Sequence, residues 1–199
     1  VDDMLKGIKL NIPDKTTMTP NGALFRTDKK GFLPTMMEEL YNERVTYKKK
    51  MLSAQQEFEN TKDNKYKKLI SRYNNIQMAR KISLNSAYGA IGNQYFRYYD
   101  KAIAEGITKS GQLSIRWIEN RLNKHLNNIL KTDEDYVIAS DTDSVYLTLD
   151  KLVTKTIKSD NALSKTINFL DKVASESIEP YITKSYDELK QYTNAFANK

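Results

Sequence analysis

The 199-residue sequence has no cysteine and a single histidine, His125. Without cysteine there is no disulfide scaffold, no thiolate-bound zinc or iron–sulfur centre and no thiol nucleophile, and one histidine cannot build a multi-histidine metal site. Long apolar runs are missing too. None approaches the roughly 18 to 20 residues that span a bilayer, and Val1-Asp2-Asp3-Met4 lacks the basic-then-apolar build of a signal peptide. These absences lead us to expect a soluble, cytoplasmic protein with no membrane partner. There is no internal repeat and no low-complexity tract, and a chain of this length can bury a core without covalent staples.

What is abundant is positive charge. Lys and Arg number 32 against 25 Asp and Glu, a formal charge of +7. Such a balance raises the local concentration of polyanions, although a solvated basic surface without a ligand is the plain alternative. The charge is unevenly placed. Between Pro34 and Gly92 stand 11 basic residues and 6 acidic ones, so this segment carries most of the excess.

Along the chain, residues 1–32 hold turn signals at Pro20-Asn21-Gly22 and Lys29-Lys30-Gly31 around a strand-like run, Ala23 to Thr27, which predicts a small hairpin. From Pro34 to about Asn60 there is no Gly or Pro, and Met37, Leu40, Tyr41, Tyr47, Met51, Leu52 and Phe58 recur at helical spacing. After a polar break over 59–64, Tyr66, Leu69, Ile70, Tyr73, Ile76 and Ala79 continue the pattern towards Gly89. Two long helices joined by a short loop pack antiparallel. Beyond Gly92, Ile115, Ile118, Leu122, Leu126 and Ile129 mark one apolar helix face. Tyr136 to Ala139 and Val145 to Leu149 are β-prone and flank Ser140-Asp141-Thr142-Asp143-Ser144, which predicts a β-hairpin with acidic residues at its tip. A last helical stretch runs from about Ala162 to Tyr192, with Pro180 as a break or kink. The fold class expected is α+β: a long antiparallel helical hairpin over 33–92, preceded by a segment 1–32 and followed by a β-hairpin and packed helices over 93–199.

Two groups of residues could carry chemistry. Asp141 and Asp143 lie two apart in a tight turn, and with soft ligands absent they suit a hard, oxygen-seeking ion such as Mg²⁺. Asp is also common in turns simply because it satisfies backbone groups. On the second long helix Lys81, Asn85 and Tyr88 fall at i, i+4 and i+7, and on the first Arg44 and Lys48 are i and i+4. Each cation alone is what a solvated helix commonly shows. Turned to the same side, Arg44, Lys48 and Lys81 would form a clamp suited to a triphosphate, because guanidinium grips phosphate oxygens in pairs and ammonium adds point charge.

The run Lys81-Ile82-Ser83-Leu84-Asn85-Ser86-Ala87-Tyr88-Gly89 resembles the Lys-x3-Asn-Ser-x-Tyr-Gly motif of family B DNA polymerases. Ser140-Asp141-Thr142-Asp143-Ser144 resembles their Asp-Thr-Asp-Ser motif. The two occur in the family's order, joined by Gly92 to Asp100, and the match is closest to the replicative polymerases of T-even-type bacteriophages, covering nearly the whole chain from about Met18. The resemblance implies that the helical hairpin is the polymerase fingers and the β-hairpin part of the palm, working in the host-cell cytoplasm. Arg44, Lys48 and Lys81 then match positions that hold the incoming deoxynucleoside triphosphate, and Asn85 and Tyr88 positions beside the nucleotide and nascent base pair. Asp143 matches a carboxylate that binds both catalytic Mg²⁺ ions, and Asp141 the adjacent acidic position. Gly89, Tyr95, Arg97, Lys109 and Gly111 are expected along the path of the DNA primer–template. His125 is expected to be a solvated or satisfied bystander.

The departures also carry expectations. The family's first palm motif, an Asp-x2-Ser-Leu-Tyr-Pro-Ser run with the second metal-bridging Asp, does not occur in this sequence, nor do the Lys-Lys-x-Tyr element, the thumb and the exonuclease domain. The reading is therefore a polymerase fragment, inactive alone, that needs a complementary fragment carrying the first palm Asp and the thumb. Exposed apolar surface and open strand edges favour self-association or partner binding. The competing reading is a non-catalytic nucleotide- or nucleic-acid-binding module that keeps the polymerase fold.

Overall fold

The computed structural model describes residues 1–157 and 163–196. Its elements are α1 (Asp2–Leu5), β1 (Thr16–Met18), β2 (Leu24–Arg26), α2 (Phe32–Thr61), α3 (Asn64–Ile91), α4 (Lys101–Leu130), β3 (Val137–Asp141), β4 (Ser144–Leu147), α5 (Asp150–Thr156), α6 (Leu163–Val173), a π-helical turn (Ala174–Ile178) and α7 (Glu179–Thr193). Helices dominate and the two sheets are antiparallel strand pairs, so the fold is α+β with a helical hairpin and a β-hairpin. Among the described residues no helix is long and apolar enough to cross a membrane. The chain forms two compact units. One comprises Val1–Thr27 with the segment from Glu105 onward, the other Asp28–Ala104.

The 28–104 unit is built on α2 and α3. α2 starts after Gly31, whose extended backbone caps the helix, and Pro34 sits in the first turn, where a backbone N–H has no helical partner to miss. Thirty residues at 1.5 Å each make it about 45 Å long. It stops at Lys62, which turns left-handed (φ 54°) and donates its N–H to the Phe58 carbonyl at 2.7 Å. Asp63 then caps α3, its Oδ1 accepting the Lys65 N–H at 2.9 Å. That hydrogen bond, with the Lys65 ammonium beside it, holds the Asp63 carboxyl below the usual carboxylate range. A two-residue link leaves α3 no course but back along α2. The seam between them holds the Tyr47 and Tyr73 rings, 6.1 Å apart, and buries Ala54 and Gln77.

The other unit is organised by α4. Leu113, Trp117, Ile118, Leu122, Leu126 and Leu130 are buried along one stripe of it. Against that stripe pack Met4 of α1, Ile178, Leu189 of α7, and Val145 and Leu147 of β4. The Trp117 indole donates to the Ser185 carbonyl at 2.9 Å, satisfying the one polar atom of a buried ring. β1 pairs with β2 through Thr17↔Phe25, and Thr17 Oγ1 donates to the Thr193 carbonyl at 2.8 Å, tying this ribbon to the end of α7. Gly106 on α4 is buried, and a Cβ there would meet Thr19 Oγ1 at 3.3 Å. Within this unit, glycine lets the helix lie close to the β1–β2 turn.

Several details differ from the sequence-based expectations. The α4 stripe takes in Leu113, Trp117 and Leu130, whereas Ile129 is half exposed, because one residue's step around a helix moves it off the face. The single helical stretch expected up to Tyr192 is α6, a π turn and α7, and its expected start at Ala162 lies outside the described residues. Pro180 lies in the first turn of α7. It has no N–H for the carbonyl four residues back and its ring crowds that carbonyl, and the widened π turn just before it accommodates both. The short helix α5 at Asp150–Thr156 has no counterpart in the sequence-based reading.

His125 is neither solvated nor satisfied at Nε2. Its ring stacks on Tyr181 with centres 4.0 Å apart, Nε2 is buried without a hydrogen-bond partner, and burial pushes its pKa below the ordinary 6.5. A depressed histidine contributes stability that is complete above about pH 6.5 and is lost as pH falls towards the folded-state value. Thermal melting between pH 7.5 and 5 should therefore show falling stability. His125→Phe, which keeps the stacking, should flatten that slope, and an unchanged slope would contradict the assignment.

Candidate active site

The acidic turn is fixed from α4 outward. Asn127 accepts the Glu134 N–H on Oδ1 (2.9 Å) and donates to the Glu134 carbonyl (2.8 Å), and Asn123 Oδ1 accepts the Tyr136 N–H (2.8 Å). These amides pin residues 134–136 to the helix, and Tyr136 buries its ring with Leu126 and Leu130. β3 leaves from there and pairs with β4 through Ala139↔Tyr146, Ser140↔Val145 and Asp141↔Ser144. A register shift between Val137 and Ala139 leaves Ile138 unpaired and exposed.

Asp141 and Asp143 stand at the hairpin tip, both exposed. Thr142 between them has φ 53°, a left-handed conformation that is an outlier for a β-branched residue. The Asp143 N–H points back to the Asp141 carbonyl at 2.6 Å, a three-residue turn of the rare positive-φ kind. The two carboxylates differ in their surroundings. Asp141 Oδ1 accepts the Thr142 hydroxyl at 2.9 Å, whereas the Asp143 carboxylate accepts no hydrogen bond from the described residues. Two exposed oxygen donors fit a hard divalent cation, which keeps part of its water shell when protein ligands are few. Among the described residues no group of three or more His, Asp or Glu side chains is gathered for a metal.

In the other unit, Lys81, Asn85 and Tyr88 occupy one side of α3 and are exposed, and Arg44 and Lys48 lie one turn apart on α2, half-buried and exposed respectively. The seam itself gives the sidedness. Arg80 Nε lies 2.5 Å from Glu43 Oε2, an ion pair without hydrogen-bond geometry, on one flank of the hairpin. Lys81 is one residue on and therefore turns about 100° to the other flank, as Arg44 does from Glu43. In an antiparallel pair these two rotations bring Arg44, Lys48, Lys81, Asn85 and Tyr88 to the same side. Neither Lys48 nor Lys81 has a carboxylate partner among the described residues, and Arg44 Nε is buried with no hydrogen-bond partner.

The remaining candidates are more scattered. Gly89 on α3 and Gly111 on α4 are exposed, and a Cβ added at either would meet nothing within 4 Å, so no close backbone approach within the chain demands glycine there. Lys109 is held by Glu105 one turn earlier at 2.8 Å. Tyr95 is 88% exposed in the turn after α3, its backbone N–H bound to Asn93 Oδ1 at 3.0 Å. Arg97 lies over the Tyr98 ring at 5.6 Å, and that ring packs edge-on against Phe32 and Phe96. Sequence reasoning does not single out Thr142, whose strain no spacing rule reveals.

The family model described as DNA polymerase family B matches residues 3–186. The chain belongs to that family. It is 31% identical to the DNA-directed DNA polymerase of Escherichia phage RB69 over 235 aligned residues, covering 96% of this chain and 26% of that protein. With the DNA-directed DNA polymerase of Enterobacteria phage T4 it is 30% identical, covering 98% of this chain and 26% of the relative. The protein called DNA polymerase beta of African swine fever virus (isolate Tick/Malawi/Lil 20-1/1983) is 28% identical, over 76% of this chain and 12% of its own length. The chain is thus of the T4-type within family B, and it spans about a quarter of the length of its phage relatives.

The strain at Thr142 can be measured. Thr142→Gly removes the steric cost of a positive φ, on the order of 1 to 2 kcal/mol, against a smaller entropic loss. Thr142→Val keeps the strain and loses the hydroxyl bonded to Asp141. Both variants lose the hydroxyl bonded to Asp141 and only glycine relieves the strain, so denaturant unfolding should rank Thr142→Gly above Thr142→Val by roughly 0.5 to 1 kcal/mol; the reverse order would mean that the turn is not left-handed at this residue.

Proposed function

We propose that this chain is the fingers and part of the palm of a DNA-directed DNA polymerase. It binds the incoming deoxynucleoside triphosphate and supplies carboxylate ligands for template-directed nucleotidyl transfer on a DNA primer–template. The observation that carries the reading is the clamp flank of the hairpin: three cations without carboxylate partners, an amide and a phenol share one side, and one guanidinium nitrogen is buried and unsatisfied. A buried polar donor without a partner is costly, and an anion beside it removes that cost.

In this mechanism Arg44 and Lys48 from α2 and Lys81 from α3 hold the triphosphate oxygens. Their charge offsets the negative charge that builds on the departing pyrophosphate. Asn85 and Tyr88, further along the same side of α3, orient the nucleotide towards the template. Asp143, whose carboxylate is free of internal hydrogen bonds, is the principal Mg²⁺ ligand, and Asp141 is the second. Mg²⁺ held by these two carboxylates would supply charge neutralisation for the phosphoryl-transfer chemistry. Tyr95 and Arg97 provide an exposed ring and a guanidinium for the DNA strand, and Gly89 and Gly111 leave room on their helices for its approach. Lys109 joins them by exchanging Glu105 for a phosphate. Catalysis is positioning and electrostatics throughout, with no covalent intermediate.

Two carboxylates are fewer than a two-metal site uses, so the functional enzyme draws a further metal-binding Asp and the thumb from a polypeptide segment outside these 199 residues, and these residues by themselves do not extend primers. Primer extension with Mg²⁺ should appear only when such a polypeptide is added. In the reconstituted enzyme Asp143→Ala should lower turnover by about a hundred- to a thousandfold while nucleotide binding persists, and Lys81→Ala should raise the KM for nucleotide by roughly tenfold. If Asp143→Ala left extension intact, the carboxylate assignment would be wrong. If complementation gave no extension but the chain bound nucleotide through Lys81, the chain would be a binding module instead.

A further inference from the structure

α3 carries Lys65, Lys67, Lys68, Arg72, Arg80 and Lys81 and not one Asp or Glu over its 28 residues. Three of these cations have other uses: Lys65 pairs with Asp63, Arg80 with Glu43, and Lys81 lies on the clamp flank. Lys67, Lys68 and Arg72 are all exposed with no carboxylate partner among the described residues, and of these Lys67 lies over the Phe58 ring while Lys68 and Arg72 remain. With Ser71, Asn75 and Ile76 they line a shallow groove along the helix. Around the α3 axis Arg72 lies about 180°, and Lys68 about 140°, from Lys81. Lys68 and Arg72 therefore face a different side of the helix from the clamp, whereas Lys67, at the groove's edge, lies about 40° from Lys81 around the axis and is separated from it by about 21 Å along the helix.

An ordinary solvated face does not account well for this pattern. Lys68 and Arg72 are a like-charge i,i+4 pair, which weakens a helix unless a counter-charge is present. On α4, by contrast, Lys109, Arg116 and Arg121 each have a carboxylate within 3 Å. The groove alternates cations with a hydroxyl and an amide, side chains that contact phosphate oxygens, and no aromatic ring is among its lining residues for stacking. Lys68 and Arg72, four residues apart, form one short row on one helix, a footprint for one strand rather than a duplex.

We infer that the Lys67–Ile76 groove of α3 is a second polyanion site, which holds the phosphate backbone of single-stranded DNA without regard to sequence. It rests on the chain's role as a DNA-handling protein but not on the triphosphate clamp. The test is fluorescence anisotropy of a labelled oligo(dT) with the full chain over a salt series. Lys68→Ala with Arg72→Ala should weaken binding about tenfold at 50 mM salt and reduce the salt slope by about 1.4, the value for two lost single-strand phosphate contacts. Lys49→Ala with Lys50→Ala, an equal loss of charge on α2, should have little effect. Nucleotide binding should respond to Lys81→Ala and not to the groove pair, so failure of the clamp and failure of the groove are separately visible. Unchanged oligo(dT) binding in the groove variant, an equal loss in the Lys49/Lys50 control, or an equal loss on a blunt duplex would overturn the inference. Helical content by circular dichroism confirms that each variant is folded.

Discussion

The apolar stripe of α4 is the constraint on which the Glu105-onward unit depends. Each buried leucine or isoleucine on it is worth roughly 1.5 to 3 kcal/mol, so the stripe outweighs any polar contact nearby. The stripe also decides what else can happen on the helix. Asn123 and Asn127 lie beside it, close enough to capture the loop that enters β3, while Arg121 reaches across to Glu188 of α7. The acidic turn is thus held by a short chain of causes: buried leucines orient α4, two amides pin the loop, and the β3–β4 ladder carries Asp141 and Asp143 to the tip. Carboxylates held this way are positioned by rigid elements rather than by their own contacts.

The helical hairpin is stabilised differently. Of its two long helices only Ala54, Gln77 and Ile91 are buried, because two helices can shield only the stripe they share. Its order depends more on local devices: the left-handed Lys62, the Asp63 cap, the Tyr47–Tyr73 pair and lysines lying over Phe58. Elements with few buried contacts and many exposed backbone hydrogen bonds open and move at low free-energy cost. The cations proposed to hold the triphosphate therefore sit on the more compliant element and the proposed carboxylate ligands on the stiffer one. That division suits a reaction in which substrate is gathered first and reacts at a fixed point.

Much of this is legible in the sequence because the relevant signals are local. A gap-free run of helical spacing, a polar break and a second run define a helical hairpin, and β-prone segments around Asp-Thr-Asp define a strand pair. The Lys81, Asn85 and Tyr88 spacing places three groups on one side of a helix without any tertiary information. What escapes is set by packing between distant residues. Trp117 belongs to the core because a carbonyl 68 residues later accepts its indole N–H, and His125 is stacked because Tyr181 is there. The positive φ of Thr142 is tertiary in the same sense: nothing in the letters Asp-Thr-Asp announces it, and the flanking ladder imposes it.

The distribution of counter-charge separates cations that build the fold from cations left for ligands. Exposed ion pairs contribute little to stability, about 0 to 1 kcal/mol each, so their presence on α4 is a weak stabilising device. Their effect on binding is larger, since a phosphate approaching Arg116 or Arg121 must displace an aspartate or glutamate already in place. No such competitor lies on α3 itself. A ligand there meets charge that is fully available, as at Lys68, Arg72 and Lys81, and across the seam on α2 it meets charge desolvated in part by the neighbouring helix, as at Arg44. The excess positive charge of the chain is therefore concentrated where it is least neutralised, and the absence of carboxylates from one 28-residue helix says more about function than the net charge does.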